Sequence, residues 1–176
     1  ILKAVADGEN LLQVGEDVQT GDEVISAGKQ LRPAEIGGLM ALGITEVAVS
    51  RKPLVGIISS GDEVIPPHEA IAPGQVRDVH SYTLSALIEQ NGGTVRRYGI
   101  VADTLEQMNE IVTLAHNECD LVVITAGSSA SARDLTAQVL DALGEPGVMV
   151  HGVNVRPGKP TILAVCDGVP MIGLPG

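Results

Sequence analysis

Two apolar runs constrain this chain most: LVGIIS at 54–59 and DLVVIT at 120–125, each followed by a polar loop and then a helical pattern. Runs of that kind need apolar cover on both faces, which is the situation of an interior strand in a parallel sheet. Around them, SYTLSALIEQNGG (81–93) reads as a helix ended by Gly92 and Gly93, and TVRRYGIV (94–101) as a strand. Asp103-Thr104 opens a helix that runs to about Asn117, with Thr104 and Gln107 at capping-box spacing. LTAQVLDALG (135–144) reads as a helix closed by Gly144, followed by VMVHGVNV, a turn at RPGKP, ILAVCDG and VPMIGLPG. This alternation from Pro53 onward predicts an α/β fold, with a doubly wound, mostly parallel sheet and helices on both faces.

Residues 1–52 follow another pattern. GENLLQVGEDVQTGDEVISAGKQL (8–31) shows short β-like runs broken by Gly-Asp and Gly-Glu turns. PAEIGGLMALGI reads as a short helix with Pro33 at its start and Gly43 closing it, and TEVAVSRKP as a strand with a proline-marked exit. The expected organisation is therefore a small β-rich and helical segment over 1–52 and an α/β domain over 53–176. The opening ILKAVADGEN and the closing GLPG read as cuts within a longer protein.

The core has to be built without Phe or Trp, and only Tyr82 and Tyr98 are aromatic, so Val, Ile, Leu and Ala must fill it. A net charge of −11 argues against a general nucleic-acid or anionic-membrane surface, because phosphate contacts need clustered Lys and Arg. No apolar run approaches the length of a membrane span. Cys119 and Cys166 stand alone, outside any CxxC or Cys/His cluster, and read as buried free thiols of a cytoplasmic protein.

In a doubly wound sheet, ligands bind beyond the carboxyl ends of the strands. The loops expected there carry the polar residues. SSGDEV (59–64) hangs Asp62 and Glu63 at a strand end, either as a solvated turn or as two carboxylates for Mg²⁺. TAGSSASARD (125–134) combines small residues with hydroxyls: Gly127, Ser128 and Ser129 suit close approach of a phosphate to backbone N–H groups. Asp134 there suits either a helix cap or a metal ligand. Asp103 follows another strand, and RDVHS places Arg77, Asp78 and His80 just before a helix. RPGKP holds Arg156 and Lys159 around Gly158 in a stiff turn, either as two solvated bases or as an anion clamp.

Taken in order, the N-terminal stretch, SSGDEV, PGQVRDVHSY, GIVADT, TAGSSASARD, VRPGKP and GLPG resemble the MoeA-like molybdopterin molybdenumtransferases, the family that includes the gephyrin E domain. The resemblance covers essentially the whole chain. It implies a MogA-like molybdopterin-binding fold for 53–176 and the end of a linker or dimerisation-type domain for 1–52. The implied activity is insertion of molybdate into adenylylated molybdopterin with release of AMP, assisted by Mg²⁺, in a homodimer. It further implies catalytic roles for Glu63, Asp103, Asp134, Arg156 and Lys159. Cofactor contacts would come from Asp78, Gly127, Ser128, Ser129 and Gly158, and metal ligation from Asp62, Glu63 and Asp134. The chain departs from the family at Ala126 and Ser131, where glycine is common, at Arg156, where lysine is common, and at His80, where asparagine is usual. Alternatives are a non-catalytic molybdopterin-binding scaffold and a molybdopterin adenylyltransferase-like activity. The piece on its own is expected to be inactive.

Overall fold

The computed structural model describes residues 4, 6–126 and 130–176, with the backbone alone for 130–134. The chain divides into two compact units, Ile1–Ser50 and Arg51–Gly176. The first unit holds one helix, α1 (Pro33–Ala41), with proline in its first turn and Glu35 folded back onto the backbone N–H and guanidinium of Arg32. Gly43 ends it at φ +73°, a conformation that favours glycine.

The β-like runs expected before α1 do not become strands. They form successive turns in which a carboxylate accepts the backbone N–H three residues earlier: Ala6 to Glu9, Gln13 to Glu16 and Gln19 to Asp22. Asp and Glu at those positions close local rings that compete with a sheet ladder. The expected strand over 45–53 is likewise unpaired among the described residues. Leu11, Leu12, Val14, Ile36, Met40 and Val49 remain exposed, and α1 fully buries only Leu39.

The second unit is built on a six-stranded sheet. Its strands are β1 (Leu54–Ser60), β4 (Thr94–Val101), β5 (Leu121–Ala126), β6 (Pro146–His151), β7 (Ile162–Cys166) and β8 (Val169–Pro175). Their spatial order is β4-β1-β5-β8-β7-β6. The first four are parallel, and the β8-β7-β6 pairings are antiparallel. A separate parallel pair, β2 (Val64–Ile65) with β3 (Val76–Arg77), was not legible in the sequence, since two-residue strands carry no periodicity.

Helices α2 (His80–Gln90), α3 (Leu105–Glu118) and α4 (Ala130–Leu143) make the crossovers. Right-handed connections carry β1 leftward to β4 through α2, then rightward past β1 to β5 through α3. The reversal puts α2 on one face and α3 with α4 on the other, and α3 and α4 pack together. Strand alternation follows suit. Ile58, Val122 and Ile124 join Met108, Val112, Ala115, Val139 and Leu140 in the α3/α4 core, whereas Ile57, Ser59, Val123 and Thr125 point the other way.

Two helix starts differ from expectation. Thr104 is the N-cap of α3 but makes no side-chain cap; the Gln107 amide oxygen accepts instead from the N–H of Ala102, 3.4 Å away. Helix α4 begins at Ala130, not at Leu135, because Ala130, Ala132 and Arg133 are good helix formers with nothing to stop them. Asp134 is consequently inside the helix and does not cap it.

The amino-terminal edge of the sheet is closed by Asp120. Its carboxylate accepts from both terminal nitrogens of Arg51 and from the N–H of Leu54 at 2.8 Å, while its own N–H donates to the Leu54 carbonyl at 2.8 Å. This clip joins the starts of β1 and β5. Both cysteines are buried and free, and burial raises the Cys166 thiol pKa above its ordinary value, which keeps it protonated and inert.

The Arg51 hydrogen bond, followed by that of Leu54, holds the Asp120 carboxyl below its ordinary pKa. Its contribution is therefore fully present above the unfolded pKa of about 4 and is lost as pH falls through the lower, folded value. Asp120→Asn is expected to destabilise the chain at pH 7, with the gap to wild type narrowing as pH drops below about 4. Urea midpoints measured between pH 7 and pH 2.5 check this; a gap that stays constant across that range would contradict it.

Candidate functional site

In a sheet ordered β4-β1-β5, β1 is followed by α2 on one face and β5 by α4 on the other. A crevice opens between them at the carboxyl edge. Such a cleft is present, with a volume of about 410 Å³, lined by Ser59, Ser60, Glu63, Asp78, His80 and Thr125 among others. The sheet therefore converges residues that stand far apart in sequence.

The loop after β1 turns at Gly61, whose φ is +145°. A Cβ there would lie 2.8 Å from Cγ2 of Val64 and 2.9 Å from Oε2 of Glu63. Glycine lets the Glu63 side chain fold back along the cleft wall. The Gly61 carbonyl accepts from Val64 at 3.0 Å, and the Glu63 carbonyl accepts from Val76 at 2.8 Å, starting the β2–β3 pair that brings Asp78 to the cleft. Asp78 N–H donates to the Ile65 carbonyl at 2.9 Å.

Asp78 is buried and its carboxylate is well supplied with donors. Ser59 Oγ donates to Oδ2 at 3.0 Å, Ser81 Oγ donates to the same oxygen at 2.6 Å, and Ser81 N–H donates to Oδ1 at 3.1 Å. Ser59 in turn accepts from Thr125 Oγ1 at 3.4 Å. Asp103 sits beyond the end of β4, accepts from Ser60 Oγ, and donates its N–H to Asp62 Oδ1 at 3.3 Å. Asp62, Glu63, Asp78 and Asp103 are thus gathered around the β1 end. Ser59, Ser60 and Thr125, which hold two of them, escaped the sequence reading; their alternation on paired strands was the available signal.

The β6–β7 connection carries RPGKP. Gly158 has φ +107°, its carbonyl accepts from Thr161 Oγ1 at 2.7 Å, and the Lys159 carbonyl accepts from Val153 at 2.8 Å. Arg156 and Lys159 are exposed and have no hydrogen-bond or ion-pair partner among the described residues. They do not line the 410 Å³ cleft. Because β6 runs parallel to β8, this loop lies at the same carboxyl edge, three to four strand spacings from β1, or roughly 14–19 Å.

Gly127, Ser128 and Ser129 lie outside the described residues, and so does the Asp134 side chain. Among the described residues, no group of three His, Cys, Asp or Glu side chains is arranged to hold a metal ion. No helix among them is long and apolar enough to cross a membrane.

A mostly parallel α/β sheet with an acidic, hydroxyl-rich crevice at its topological switch point defines a small-ligand-binding domain. Comparison with known proteins specifies which one. The family described as "Probable molybdopterin binding domain" matches residues 56–176, and the chain belongs to that family. The molybdopterin molybdenumtransferase of Nostoc sp. is 35% identical over 179 residues, which is 100% of this chain and 41% of the relative. That of Haemophilus influenzae is 32% identical over 168 residues, 96% of this chain and 41% of the relative. A molybdopterin biosynthesis MoeA protein from Pyrococcus horikosii superimposes with a TM-score of 0.79 at 40% identity, covering 92% of this chain and 40% of that one. The MoaB structure from Thermus thermophilus, at 18% identity and a TM-score of 0.54, shares the fold over 70% of this chain and 81% of its own. The chain spans less than half the length of the curated relatives it matches.

Gly61→Ala tests the geometry of the β1 exit. The added methyl meets Glu63 and Val64 in a backbone conformation that disfavours it, so the variant should lose about 1–3 kcal/mol of stability. Denaturant unfolding measures that loss, and a midpoint equal to wild type would show that the loop does not need glycine.

Proposed function

We propose that this chain provides the molybdopterin-binding part of an enzyme that inserts molybdate into adenylylated molybdopterin and releases AMP. The observation that carries the reading is the crevice at the β1/β5 switch point, lined by Glu63 and Asp78 and adjoined by Asp103 through Ser60, in a chain of this family. The proteins it matches at 32–35% identity are named molybdopterin molybdenumtransferases.

The acidic edge suits a divalent cation. Mg²⁺ takes one or two protein carboxylates and fills its remaining positions with water and phosphate oxygens, so Asp62 and Glu63 suffice without a third protein ligand. Bound there, Mg²⁺ would polarise a phosphoryl oxygen of the adenylyl group. Glu63 and Asp103 are then placed to orient the water that attacks phosphorus, and AMP leaves as the phosphoanhydride breaks. Asp134 is the further carboxylate we assign to this edge. Gly127, Ser128, Ser129 and Gly158 are assigned to contacts with the pterin and its phosphates.

Arg156 and Lys159 fit an oxyanion. Neither charge is spent on an internal partner among the described residues, and the turn between them is held by its own hydrogen bonds. A ligand reaching from the β1 loop to RPGKP has to span roughly 14–19 Å, a length that suits a molecule with a pterin at one end and a nucleotide at the other. In this reading, residues 1–52 are the end of a linker or dimerisation-type domain of a homodimer. The exposed Leu11, Leu12, Val14, Ile36 and Met40 support that, since exposed apolar side chains gain from burial against a partner surface.

Calorimetric titration with adenylylated molybdopterin and Mg²⁺ tests the site. Arg156→Ala and Lys159→Ala should each weaken binding by about tenfold or more, the usual loss for a charged contact to an anion. Unchanged affinity in both would remove the clamp from the reading. In the full-length parent, AMP release that depends on molybdate supports an enzyme, whereas ligand binding without AMP release would favour a scaffold.

A further inference from the structure

One group of buried polar side chains is not accounted for by ligand contacts. Thr125 on β5, Ser59 on β1, Asp78 after β3 and Ser81 on α2 form a continuous hydrogen-bonded chain along the cleft floor. All four are at most 7% exposed. Ser59 and Thr125 are direct partners in the parallel β1–β5 ladder. The chain thus begins at the switch point of the sheet and ends on the first turn of a crossover helix.

We propose that Ser59 is a positioning residue: with Thr125 behind it, it orients the Asp78 carboxylate, which fixes the first turn of α2 as one wall of the molybdopterin cleft. The hydrogen bonds divide the work. Asp78 Oδ1 takes the Ser81 N–H, one of the orphan donors of the helix start, and Oδ2 takes the two hydroxyls. A carboxylate with three donors has little acceptor capacity left for a ligand, so its contribution to binding is through the backbone it holds. That backbone carries Val79 and His80 on the cleft wall. Asp103 differs, because Ser60 is its only side-chain hydrogen-bond donor among the described residues. Of the two aspartates, Asp78 is saturated by internal donors and Asp103 is not.

Removing the Ser59 hydroxyl leaves Oδ2 with Ser81 alone and frees the carboxylate to rotate. In a low-dielectric setting such a network is sensitive to the loss of one member. Ser59→Thr keeps the hydroxyl and separates this effect from simple packing.

The inference rests on the molybdopterin-binding reading, and the test is arranged to fail separately from it. The 176-residue chain is titrated with molybdopterin as wild type, Ser59→Ala, Ser59→Thr, Asp78→Ala and the Ser59→Ala/Asp78→Ala double variant. Amide hydrogen exchange of Ser81 is followed in parallel, with thermal unfolding as the control for global stability. Ser59→Ala should weaken binding about tenfold and speed Ser81 exchange about tenfold, the order expected for one lost hydrogen bond to a charged group. Ser59→Thr should restore both to within about threefold. In the Asp78→Ala background, Ser59→Ala should add nothing, because its effect passes through Asp78. Additive losses in the double variant, or wild-type affinity and exchange in Ser59→Ala, would overturn the proposal. If wild type binds no molybdopterin, the functional reading falls. The positioning role then stands on accelerated Ser81 exchange and fails if that rate is unchanged.

Discussion

The parallel pairing of β1 with β5 is the contact on which the remainder of the α/β unit depends. Five consecutive partners, Val55–Leu121 through Ser59–Thr125, run from one edge of the sheet to the other. The amino-terminal edge is clipped by Asp120, which bonds the start of β1 and Arg51. The carboxyl edge is tied by Thr125 to Ser59 and onward to Asp78. A slip of one residue would turn Ile58 away from the α3/α4 core and bring Ser59 into it. Burial of an unpaired hydroxyl and loss of the isoleucine contacts would both oppose that slip. Register and cleft are therefore fixed by the same residues.

The helices follow from the strands. Because β1 leads into α2 on one face of the sheet and β5 into α4 on the other, a cleft is left between the two strand ends. Polar side chains at that place meet a cleft and solvent on one side and the apolar sheet on the other. Ser59, Ser60 and Thr125 satisfy this dual demand, being small enough to pack while Ser59 donates to Asp78, Ser60 to Asp103 and Thr125 to Ser59. Leucine or valine there would pack as well but would leave two aspartates short of donors, at a cost of about 1–3 kcal/mol for each unmet group.

How far the sequence disclosed this depends on what kind of signal each element carried. The buried strands 54–60 and 121–126 were legible because apolar runs flanked by polar loops have few other uses. The β2–β3 pair was not, since its two residues per strand are held by hydrogen bonds from Val76 and Asp78 that no pattern announces. Residues 8–31 misled for a physical reason: Val and Leu near Gly-Asp steps suit a strand, yet the carboxylates at Glu9, Glu16 and Asp22 satisfy nearby N–H groups and close turns instead. At the site, the acidic residues stood out in SSGDEV and VADT, while the hydroxyls that orient them looked like ordinary strand content. Acids are conspicuous by type; a hydroxyl's role depends on what it faces.

That difference bears on how an acidic crevice can receive an anionic ligand in a chain of net charge −11. Carboxylates free to rotate would present their charge to the phosphates of the proposed ligand and repel them. Here Asp78 is turned toward three donors, Asp103 toward Ser60, and the exposed cations Arg156 and Lys159 stand farther along the same edge. Negative charge is thereby held at fixed points on hydroxyl donors, and positive charge stands apart from it along the same edge. A Coulomb attraction of about 1 kcal/mol between opposite unit charges 4 Å apart in water rises to about 4 kcal/mol at an effective dielectric of 20, so the benefit of fixing these charges grows as ligand displaces water from the cleft. Orientation of the carboxylates by hydroxyls and separation from the cations by three to four strands are two parts of one solution, and both are set by strand order.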